Sequence, residues 1–145
     1  GISQLKKLKV LNDKRRKIAK MYNIFLNNFP KFFSIQKINN NLTHSYQMYT
    51  VLVKAEKRKS FLYYLKKKGI EASVHFDPPL HHQKYLEKYS SKLPNTDRLA
   101  KEIVTLPMYP NLTKNEINRI FKAINNYTYN RTNASFLFRL SIMEI

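Results

Sequence analysis

An α+β domain is what the sequence predicts: a long N-terminal amphipathic helix, then a small sheet with helices packed on one face. Three patterns carry this expectation. Ile2, Leu5, Leu8, Leu11, Ile18, Tyr22, Phe25 and Phe29 recur at steps of three, four or seven, the spacing of a helical stripe. Two apolar runs, at Thr50–Val53 and Ile70–Phe76, flank a helical segment and so form a strand–helix–strand unit. Thr113-Lys114-Asn115-Glu116 reads as a capping box, followed by Ile117, Ile120, Phe121 and Ile124 on one helix face.

Each element has its own signal. The first helix carries Lys6, Lys7, Lys9, Lys14, Arg16, Lys17 and Lys20 opposite its apolar stripe, and Pro30 marks its end. A helix of this length more often bridges two bodies than serves a lone small domain. After the Asn39-Asn40-Asn41 loop, Tyr46–Val53 reads as a strand. Glu56–Lys68 reads as a helix with Phe61, Leu62 and Leu65 inward and Gly69 just past its end. The strand Ile70–Phe76 leads into a loop with two consecutive prolines. A short helical piece near Gln83–Tyr89, a helix at Thr96–Ile103 and an extended stretch at Val104–Leu106 come next. Residues 1–124 read as the domain. The Asn-rich spacer beyond reads as a linker, and 125–145 is a tail without a clear pattern.

The 145 residues suffice for one core, and 43% hydrophobic with 13% aromatic content belongs to folded sequence. Without cysteine there is neither a disulfide framework nor a thiolate metal site. No apolar run has the length of a membrane span, and a cytoplasmic setting is expected. The chain opens on Gly1, inside a helix, as a fragment does. The formal charge of +18 suggests a polyanionic partner. The excess is mostly Lys, however, beside abundant Asn and Ile, and Arg is the residue that reads phosphates and bases in bidentate fashion. A solvated helix face accounts for the charge more simply than a nucleic-acid surface.

The residues with chemistry concentrate in Gly69–Gln83, where His75, His81 and His82 stand on a loop stiffened by Pro78 and Pro79. Their spacing, with Asp77, matches no standard zinc pattern, and no metal is assigned. The chain shows neither a nucleophile elbow nor a phosphate-cradling glycine motif. Tyr46, Tyr49, Phe61, Tyr63 and Tyr64 read as core or interface rather than a stacking platform. These are parts of a binding surface and not a catalytic set.

The motif order resembles the C-terminal part of the DegT/DnrJ/StrS-type sugar aminotransferases, pyridoxal-phosphate enzymes of fold type I. Gly1-Ile2-Ser3-Gln4-Leu5-Lys6-Lys7-Leu8 is similar to that family's G-x-x-Q-L-x-K-L helix, and Arg15–Tyr22 to its R-R-x-I-A-x-x-Y continuation. His44-Ser45-Tyr46-Gln47-Met48-Tyr49 resembles H-x-Y-H/Q-x-Y. Gly69–His75 with Pro79-Leu80-His81-His82-Gln83 resembles G-I-x-x-x-x-H-Y-x-P-L-H-x-Q, and Leu106–Thr113 resembles L-P-x-Y-P-x-L-T. Phe76 stands where the family often has Tyr, which removes a hydroxyl contact.

The resemblance implies the small domain of a two-domain enzyme that moves an amino group, usually from glutamate, onto a nucleotide-linked keto-sugar. It implies pyridoxal 5'-phosphate in the complete enzyme, held by an upstream large domain that carries the Schiff-base lysine. This chain would supply no catalytic and no cofactor-binding residue, and would be inactive alone. Its share would be to line the sugar-nucleotide entrance through His75, Phe76, Pro79 and His81. A homodimer is implied for the complete enzyme. The alternatives are a small basic nucleic-acid-binding module, and a structural remnant that docks on a separate large domain through the helix stripe Ile2–Phe29.

Overall fold

Helix α1 (Ile2–Leu26) forms along the predicted stripe, yet only its second half is buried. Ile18, Ala19, Tyr22 and Leu26 enter the core, whereas Ile2 and Leu5 are 76% and 67% exposed. The structure is a computed structural model that describes residues 2–143 apart from 40, 76 and 90, with side chains as far as Arg131. The helix stops at Leu26, short of Pro30. The Asn28 side-chain amide donates to the carbonyls of Ile24 and Phe25 at 3.2 and 3.0 Å, closing the last turn before the proline is reached.

The sheet is antiparallel, in the order β1 (Phe33–Ile35), β2 (Tyr49–Val53), β3 (Ile103–Leu106). Register pairs Phe33 with Val53 and Val51 with Val104, so one face presents Tyr49, Val51, Val53, Val104 and Leu106 to the core. The expected strand at Tyr46–Val53 starts later, because Tyr46 adopts a left-handed φ of 48° that interrupts the extended run. The expected strand Ile70–Phe76 is corrected more strongly. Among its described residues only Ser73 pairs, exchanging both backbone bonds with Thr105 at 3.0 and 2.8 Å across the free edge of β3. The Ala72 N–H to Ile70 carbonyl bond turns the backbone just before it, so no ladder forms on that side.

Helix α2 (Ala55–Lys67) ends where Gly69 was expected to end it. Gly69 has φ +67°, its N–H donates to Lys66, and Ile70 N–H donates to Leu65, the paired bonds of a Schellman stop. Helix α3 (Pro94–Glu102) precedes β3 directly, with Pro94 in its first turn. Helix α4 (Lys114–Met143) opens on the capping box. The Thr113 N–H donates to Glu116 Oε2 at 2.8 Å, and the Glu116 N–H donates to Thr113 Oγ1 at 3.3 Å.

The Asn-rich stretch after Ile124 is helix rather than linker. Ile124, Tyr127 and Thr128 continue the buried stripe, and the Tyr127 ring packs 5.0 Å from Phe61 and 5.4 Å from Tyr64 on α2. Burial along that face outweighs the poor helix propensity of Asn. Aromatic rings join the layers elsewhere too: Phe25 stacks on Phe121 at 4.0 Å and Tyr22 on Tyr49 at 4.6 Å. Tyr49 and Phe61 are core, as expected, while Tyr63 is exposed. Among the described residues no helix is long and apolar enough to cross a membrane.

Candidate functional site

The site is built on the second face of β3. Val104 and Leu106 point into the core, so the alternating Thr105 side chain turns the other way. The Ser73–Thr105 bridge fixes the backbone beside it, and His75, two residues on, returns to the same face. His75 Nδ1 lies 2.9 Å from Thr105 Oγ1 and 3.4 Å from Ser73 Oγ. One bridge therefore orients the first residue of the loop.

The rest of the loop is tied in place residue by residue. Asp77 pairs with Arg58 of α2 at 3.2 Å, and the same guanidinium donates to the Ala100 carbonyl on α3. Gln83 Nε2 donates to the Pro78 carbonyl at 3.0 Å, which closes the loop on itself. Pro79 leads into a 3-10 turn at Leu80–His82, and a second 3-10 helix spans Lys84–Tyr89.

Both imidazoles of the turn reach one carboxylate. His81 Nε2 and His82 Nε2 each donate to Asp97 Oδ1 at 2.8 Å, with the rings crossing edge-on at a centroid distance of 4.3 Å. The His81 side chain is 9% exposed and that of His82 54%. Asp97 sits in the first turn of α3, where the helix dipole favours an anion. Hydrogen bonds from His81 and then His82 hold its carboxyl below the usual aspartate range.

Between this turn and α3 lies a cleft of about 570 Å³. His75, Pro79 and His81 line it together with Leu86, Leu93, Leu99 and Ile103. Three of the four residues expected at a substrate entrance thus meet at one cavity. Phe76, the fourth, lies outside the described residues. The His81 ring enters with Nε2 already committed to Asp97, so Asp97 and Thr105 orient the two histidines. No local signal marks either partner, for Thr105 is 30 and Asp97 16 residues away from its histidine. A separate recess of about 470 Å³ holds Arg16, Lys20 and Asn23 of α1 with Thr43, His44 and Tyr46. There His44 Nδ1 accepts the Tyr46 backbone N–H at 3.0 Å, which leaves the ring proton on Nε2.

The fold is that of known aminotransferases. It matches the crystal structure of the aminotransferase TlmJ from Streptoalloteichus hindustanus with a TM-score of 0.83 at 23% identity, covering 91% of this chain and 36% of that one. It also matches NtdA from Bacillus subtilis, solved with bound cofactor PMP (TM-score 0.71, 21% identity, 81% of this chain and 28% of that one). In sequence, the chain is 31% identical over 119 residues to a dTDP-3-amino-3,6-dideoxy-alpha-D-galactopyranose transaminase of Aneurinibacillus thermoaerophilus, covering 81% of this chain and 32% of that protein. The model of the DegT/DnrJ/EryC1/StrS aminotransferase family matches residues 1–125, and the chain belongs to that family. It spans about a third of the length of the curated relatives it matches.

Enzymes of this family use pyridoxal phosphate. The cleft described above does not fit that group. Among the described residues, no lysine lines it to bind the aldehyde covalently, and no arginine or lysine lines it to hold the phosphate.

Proposed function

We propose that this chain serves as the small domain of a pyridoxal-phosphate-dependent nucleotide-sugar aminotransferase. The catalytic lysine and the cofactor's phosphate contacts belong to a large domain in the remaining length of the protein. The observation that carries the reading is a family match from residue 1 to residue 125 by a chain that covers 32% of its transaminase relative. The relative's name supports a nucleotide-linked keto-sugar as substrate, glutamate remains the expected amino donor, and a homodimer the expected assembly.

In this reading the chain binds and positions. His75, oriented by Thr105, presents its ring at the cleft to a sugar hydroxyl or diphosphate oxygen. Pro79 fixes the path of the loop, and His81 is locked to the cleft wall by Asp97. Leu86, Leu99 and Ile103 make that wall apolar. The charge of +18 favours the approach of an anionic nucleotide.

The test is a titration of the chain with a thymidine-diphosphate hexose, followed by the histidine ring resonances. Shifts confined to His75 and His81, with affinity about three- to tenfold weaker in His75→Ala, are expected for the loss of one hydrogen bond. Binding that is unchanged in His75→Ala would overturn this assignment of the site.

A further inference from the structure

We infer that His81, His82 and Asp97 form a binding site for a divalent transition-metal ion of the zinc class. This goes beyond the aminotransferase reading and does not depend on it. The three ligand atoms, both Nε2 and one Asp97 carboxylate oxygen, lie within 4.8 Å of one another. Both rings aim at the same oxygen, Oδ1, rather than sharing the two carboxylate oxygens between them. Sequence spacing argues against neighbouring histidines as joint ligands, but the 3-10 turn at Leu80–His82 brings both imidazoles round to one point.

Two of the three donor separations fall about half an ångström short of those in a coordinated ion. A tetrahedral zinc ion with ligands at about 2.0–2.1 Å separates neighbouring donors by about 3.3 Å. The two separations to Oδ1 are 2.8 Å and the two Nε2 atoms lie within 4.8 Å of each other, so side-chain rotations admit the ion. Each neutral imidazole then carries its proton on Nδ1 and presents the Nε2 lone pair. Asp97 supplies the negative charge. Two imidazoles and one carboxylate suit Zn²⁺, Co²⁺ or Ni²⁺, whereas Mg²⁺ and Ca²⁺ prefer all-oxygen shells. The exposed His82 side leaves the fourth position to water. Such an ion would clip the loop to α3 along one wall of the cleft, in place of the two histidine hydrogen bonds to Asp97.

Calorimetric titration of the full chain with zinc chloride, in excess magnesium chloride, tests the site. One saturable site is expected in the wild type and in His44→Asn, whose histidine lies in the other recess. His82→Asn and Asp97→Asn should each bind at least about tenfold more weakly, since losing a ligand costs no less than losing the group that orients one. Cobalt(II) chloride supplies a second readout: visible absorption of a low-symmetry site in the wild type, absent in His82→Asn. The absence of saturable zinc binding, or wild-type affinity in both His82→Asn and Asp97→Asn, would overturn the site.

Discussion

Thr105 and His75 are joined side chain to side chain at 2.9 Å, and their backbones are registered by the single Ser73–Thr105 bridge. A residue on the sheet thereby sets the first group of a loop that has no strand of its own. Thr105→Val keeps the shape and removes the hydroxyl. It is expected to destabilise the fold by about 1 kcal/mol in chemical denaturation and to lower nucleotide-sugar affinity, because the His75 ring loses its orientation. Unchanged affinity with lowered stability would confine Thr105 to a structural role.

Phe61 is fully buried between Phe33 and Tyr127, at ring distances of 5.3 and 5.0 Å. It joins the sheet to α2 and α4. Phe61→Ala should cost about 3–5 kcal/mol, read as a lower denaturation midpoint, and a loss below 1 kcal/mol would deny Phe61 that central place.

Gly69 stands at φ +67°, and a Cβ there would sit 2.5 Å from Arg119 Nη2, which itself donates to the Lys68 carbonyl at 2.6 Å. Gly69→Ala is expected to cost about 1–2 kcal/mol from the left-handed backbone. Since the guanidinium is the end of a flexible side chain, most of that loss should persist when Arg119→Ala is combined with it. Full recovery in the double variant would place the cost in the clash instead.

Acid sensitivity follows from the cap of α4. Glu116 accepts from the Thr113 hydroxyl and backbone and from Tyr109, and these bonds hold its carboxyl below the ordinary glutamate range. A depressed folded-state pKa contributes stability above the unfolded value of about 4.3, lost as pH falls through the lower folded value. Thr113→Ala should therefore lose stability at neutral pH and show a shallower decline between pH 5 and pH 3, roughly the range that brackets that unfolded value. Denaturation curves across that range give the comparison.

Much of this architecture was legible because burial and sequence period agree. The stripe Ile18–Tyr22, the Gly69 stop and the Thr113–Glu116 cap are local signals, and each forms as read. The misreadings share one cause, in that tertiary pairing decided what the local pattern left open. β1 is three residues long, too short for alternation to show between Pro30 and the asparagines. Ile70, Ala72 and Val74 alternate like a strand, yet among the described residues of that span only Ser73 finds a strand partner. The continuation of α4 past Ile124 rests on Tyr127 meeting Phe61, which the asparagines obscure. At the site, the histidine-rich loop was visible and its anchors were not. Asp77 stands nearest in sequence but is taken by Arg58, and Asp97 of α3 receives the histidines.

The exposed apolar positions Ile2, Leu5 and Leu8 on α1 give a further expectation. The chain alone should self-associate, and Leu5→Lys with Leu8→Lys should shift it towards monomer in sedimentation velocity. A monomeric wild type would remove that face as a docking surface.

The most direct test of the small-domain account is an amino-transfer assay on this polypeptide beside the whole reading frame that contains it. Both receive pyridoxal phosphate, glutamate and a nucleotide-linked keto-sugar. Turnover and a bound-cofactor absorbance are expected from the whole frame, and neither from the chain by itself. Turnover by the chain alone, or a whole frame that binds no cofactor, would contradict it.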